Sequence, residues 1–150
     1  MKILVVGLSE PALELLAWLN ELASSKVFPL EISHTADAER AIELVLAGID
    51  LTFIDITAIE ISPETKQEKK PNLKRFQRFG ANEQEGVWLL CQIKPSRACK
   101  RKVAVLTPDA ERIRRLCSSL DLTGVIPVPI SPASRQAITD FLEKLNQTQS

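Results

Sequence analysis

Apolar residues fall into two patterns along this chain, short unbroken runs and sets repeated at helical spacing, and the two alternate. Residues 3–6, 51–54, 103–106 and 125–130 are continuous apolar runs, broken only by Thr52 in the second and by Pro127 and Pro129 in the last. Such a run reads as a strand buried on both faces, as inside a parallel sheet flanked by helices. A fifth segment, Leu30-Glu31-Ile32-Ser33, alternates apolar and polar positions and suits an edge strand. Between the strands lie helical repeats. Leu15, Leu16, Leu19, Leu22 and Ala23 follow Ser9, an N-cap residue type, and Pro11, tolerated in a first turn. Asp37 is placed to cap a second helix, with Ala41, Ile42, Val45 and Leu46 facing inward and Gly48 ending it. Trp88, Leu89 and Ile93 mark a third, stopped by Pro95. Ile113, Leu116, Cys117 and Leu120 mark a fourth. Ser131 and Pro132 open a fifth, with Ala137, Ile138, Phe141, Leu142 and Leu145 on one face.

Five strands alternating with five helices predict an α/β fold, a doubly wound five-stranded parallel sheet with helices on both faces. The expected strand order is the flavodoxin-like 2-1-3-4-5. Pro127 fits that order, because proline gives no ladder hydrogen bond and the last strand is an edge. Ligands of such folds bind beyond the carboxyl ends of the strands, where Asp55, Thr107 and the turn Gly7-Leu8-Ser9 are expected to converge. Residues 1–150 read as one domain. One stretch breaks the rhythm. An insertion at about 58–84 separates the third strand from the third helix, where a few residues are usual. Its middle is polar and charged, and Asn72 is placed to cap a short helix bearing Leu73, Phe76 and Phe79.

Composition narrows the function classes. The 45% hydrophobic and 25% charged fractions are those of an ordinary globular chain, and no apolar run reaches membrane-spanning length. The opening seven residues are too short for a secretory signal. Cys91, Cys99 and Cys117 form neither a paired framework nor a metal-type spacing, so reduced thiols in a cytoplasmic protein are expected. Net charge is zero but unevenly spread. Residues 1–65 carry 3 basic and 11 acidic side chains, residues 66–102 carry 11 basic and 3 acidic. That asymmetry points to an electrostatic docking surface. Lys66, Lys69, Lys70, Lys74, Arg75 and Arg78 lie in the insertion, whereas the cations from Lys94 to Lys102 follow the third helix toward the opposite rim. Two separate clusters without a recognised motif rank an acidic protein partner ahead of nucleic acid.

Several segments together resemble response-regulator receiver domains. Ile54-Asp55-Ile56 is similar to the phosphoacceptor segment, and Thr35 to Leu44 to the start of the second helix. Gly86-Val87-Trp88-Leu89-Leu90 is similar to the glycine-led third helix, Leu106-Thr107-Pro108 to the strand-four hydroxyl position, and Gly124 with Pro129 to the surroundings of strand five. The resemblance implies Asp55 as phosphoacceptor, Thr107 as its responding hydroxyl and a cis Val128–Pro129 bond. It also shows what is missing. Gly7 and Leu8 stand where receivers hold two Mg²⁺-binding carboxylates, Val128 stands at the lysine position and Val125 at the aromatic switch position. Mg²⁺ requires several oxygen ligands, and the developing phosphoryl charge requires a cation. The expectation is therefore a pseudo-receiver that binds no Mg²⁺ or other cofactor, is not an enzyme, and signals through protein–protein contact. Asp55 is then a carboxylate hydrogen-bonded to nearby amides, and Thr107 equally a cap on the turn into the fourth helix.

The expected contact surfaces are the insertion, with Lys69, Lys70, Lys74, Arg75, Phe76 and Arg78, and the face of helix four, strand five and helix five, with Arg112, Arg115 and Val125. The second face is also the one the resemblance implies for a homodimer. A sensor kinase or another regulator is the implied class of partner, and no membrane association is expected. Two other readings compete. One is a working phosphoacceptor at Asp55 with unorthodox metal ligation, and the other is a nucleic-acid-binding regulator using the basic insertion.

Overall fold

The central strands of the sheet are short apolar runs whose residues alternate between two helical layers. In the computed structural model, which describes residues 1–25, 29–55, 84–93, 102–107, 109–119, 125–129, 136, 138–140 and 142–144, five parallel strands form one sheet. They are β1 (Lys2–Val6), β2 (Glu31–Thr35), β3 (Leu51–Ile54), β4 (Lys102–Thr107) and β5 (Val125–Pro129), in the order β2-β1-β3-β4-β5. The doubly wound, flavodoxin-like arrangement is thus present. The described helices are α1 (Glu10–Ser24), α2 (Ala38–Gly48), α3 (Gln84–Ile93) and α4 (Ala110–Ser119). Residues 136, 138–140 and 142–144 are helical as well and are called α5 here.

The pleat sorts the core into two layers. Ile3, Val5, Leu51, Phe53, Ala104 and Leu106 pack with Ala12, Leu15 and Leu19 of α1 and with Ile138 and Leu142 of α5. Leu4, Val6, Ile54, Val103 and Val105 point the other way, against α2, α3 and α4. Phe53 and Leu142 are fully buried. Helix α3 lies deepest, with consecutive residues Gly86 to Leu90 all buried. At the amino rim, Asp50 fastens three strands: its N–H donates to the Lys2 carbonyl at 2.9 Å, its carboxylate accepts the Lys2 N–H at 2.8 Å, and its carbonyl accepts the Lys102 N–H at 3.1 Å.

Two of the predicted caps, Ser9 and Asp37, are present, whereas Asn72 and Ser131 lie outside the described residues. Ser9 caps α1, and Asp37 caps α2 by accepting the Glu39 N–H at 3.1 Å. Gly48 ends α2 at φ 119°, a conformation that suits glycine. Leu46 departs from expectation, since it is 70% exposed. Helical residues advance about 100° each, which puts Leu46 roughly 80° away from the line of Ala38, Val45 and Ile49 that meets the sheet. The second correction concerns β5. No peptide bond among the described residues is cis, so the cis Val128–Pro129 link implied by the receiver resemblance is not found. Pro127 lies in the edge strand β5, as expected. The insertion falls outside the described residues apart from Gln84, and so do Cys99, Gly124, Ala137, Phe141 and Leu145.

Candidate functional site

Asp55 follows β3 directly, at the carboxyl rim of the sheet. Its amide donates to the Val6 carbonyl at 3.1 Å, which holds the backbone to β1 just past the ladder. The residue is 4% exposed. A carboxylate so far from water needs donors, and one of them is the hydroxyl of Ser9, which donates to Asp55 Oδ2. The same Ser9 oxygen accepts the Ala12 N–H at 3.3 Å as the N-cap of α1. One hydroxyl therefore closes the first turn of α1 and ties it to the end of β3.

The turn that delivers Ser9 is fixed from the neighbouring strand. Gly7 donates its N–H to the Thr35 carbonyl at 2.9 Å, and its own carbonyl accepts from His34 Nε2 at 2.7 Å. Gly7 is buried and has φ 132°, a backbone region that L side chains enter only with strain. The position at which receivers carry a carboxylate thus has a main-chain conformation that favours glycine. The following Leu8 points to solvent, 53% exposed, and Glu10 is exposed at the start of α1. Neither offers an oxygen to Asp55; Ser9 does. The sequence reading weighed Ser9 only as a cap and as part of the converging turn. Its contact with Asp55 is the functional feature that reading missed, and the signal was its place in the turn predicted to meet the end of β3.

Thr107 ends β4 and is 5% exposed, but its hydroxyl is engaged locally. It donates to the Asp109 carbonyl at 3.0 Å and accepts the Asp109 N–H at 3.0 Å. Asp109 in turn accepts the Arg112 N–H at 3.1 Å and begins α4. Of the two readings for Thr107, the cap on the turn into the fourth helix is the one this geometry matches. Among the described residues, no three His, Cys, Asp or Glu side chains assemble into a group suited to a metal ion. Asp37 and Glu39 share a side-chain hydrogen bond at the start of α2, and this, then burial, raises the Asp37 carboxyl above its usual range. The Cys117 thiol is pushed up by burial and, secondarily, by the neighbouring Cys91.

The expected contact surfaces are placed only in part. Arg112 and Arg115 are exposed on α4, and Val125 is half-buried with its side chain packed against the core. Lys69, Lys70, Lys74, Arg75, Phe76 and Arg78 lie outside the described residues. No helix among the described residues is long and apolar enough to cross a membrane. Comparison with models of known families, with curated proteins and with solved structures finds no match to this chain.

Proposed function

We propose that this chain is a degenerate receiver-like domain that signals in the cytoplasm through protein–protein contact, independently of phosphorylation and without enzymatic activity. The observation that carries the reading is the Ser9–Asp55 hydrogen bond. Phosphoryl transfer to an aspartate needs a free carboxylate oxygen, a cation to offset repulsion from the incoming phosphate, and donors for the developing charge. Here one carboxylate oxygen is held by a structural hydroxyl, and Gly7 and Leu8 supply no further anion. The Thr107 hydroxyl is turned to its own helix cap. What remains is a scaffold with exposed charged faces, and the partner is a protein, either another regulator or a sensor kinase.

The test is incubation with acetyl phosphate and Mg²⁺, followed by intact-mass measurement and hydroxylamine treatment. No mass gain is expected. A hydroxylamine-sensitive phosphoryl group that disappears in Asp55→Asn would establish the phosphoacceptor reading instead. Tryptophan fluorescence provides the companion measurement, and it is expected to stay flat as Mg²⁺ is titrated.

A further inference from the structure

We draw no further inference here: the strongest candidate, the pair of thiols Cys91 and Cys117 in the apolar layer of α3 and α4, rests only on the effect of one thiol on the titration of the other, an influence that acts well beyond the reach of a disulfide.

Discussion

The hydroxyl of Ser9 and the carboxylate of Asp55 meet across 46 residues of sequence, joining the first helix cap to the end of the third strand. The contact has a dual role. It supplies a donor to a buried anion, and through the Ala12 N–H it also closes the first turn of α1. The residue that donates to the site is therefore the residue that starts the helix, so a change of that side chain also disturbs local structure.

Removal of that hydroxyl should be costly. Ser9→Ala takes a donor from a buried carboxylate, about 1.5–3 kcal/mol for a charged hydrogen bond, and an N-cap, about 0.5–2 kcal/mol. The two losses share one oxygen, so a combined destabilisation of about 2–4 kcal/mol is expected. Asp55→Asn keeps an acceptor for Ser9 and should cost less. Urea unfolding measures both: the midpoint falls in the order wild type, Asp55→Asn, Ser9→Ala, with the slope unchanged.

Gly7 offers an independent check on the same turn. Its φ of 132° penalises any side chain, so Gly7→Ala is expected to lose about 1–3 kcal/mol. Gly7→Asp carries the same strain and adds a carboxylate near Asp55. It should be less stable than Gly7→Ala and should gain no acetyl-phosphate labelling, since an added carboxylate supplies no cation for the developing phosphoryl charge. Denaturation midpoints and intact masses read the two effects side by side.

The fold was legible because burial on both faces leaves a simple mark. Residues 3–6, 51–54 and 103–106 are nearly unbroken apolar runs, and each is a central strand, with Thr52 buried among the rest. The edge strand showed itself by alternation, although its bounds shifted from residues 30–33 to Glu31–Thr35. Ser9, Asp37 and Gly48 were legible as helix signals because capping acts within a few residues. The Ser9–Asp55 contact was not. It depends on how the β1–α1 turn is oriented, and that orientation comes from Thr35 and His34, which gather at Gly7 only once the sheet has formed. Leu46 misled for a related reason: its type suits the core, but its angle on α2 carries it past the line of contact.

A pH effect is expected from the start of α2. The Asp37 carboxyl titrates above its ordinary 3.8, first because it shares a hydrogen bond with the Glu39 carboxyl, then through burial; the Glu39 and Arg40 amides pull the other way. The folded chain holds this proton more tightly than the unfolded chain. The resulting stabilisation is full below pH 3.8 and is lost as pH rises through the folded-state value. Glu39→Gln replaces the shared proton with an amide donor to the Asp37 carboxylate, which favours the charged form. Carboxyl NMR should show Asp37 titrating lower in Glu39→Gln than in the wild type. An unchanged titration would mean that the two carboxyls are not coupled.

Trp88 poses a different energetic question. It is 3% exposed within the layer formed by α2, α3 and α4, yet its indole N–H has no hydrogen-bond partner among the described residues. A buried donor left unpaired costs about 1–3 kcal/mol. Trp88→Phe deletes that donor along with part of the ring, so relief of the desolvation penalty offsets lost packing. The net change is expected to lie within about 1 kcal/mol of the wild type, whereas Trp88→Ala should lose about 3–5 kcal/mol by opening a cavity. Paired urea titrations distinguish the two terms. Were Trp88→Phe to cost as much as Trp88→Ala, the indole N–H would have to be satisfied in solution, and packing would not be the deciding term.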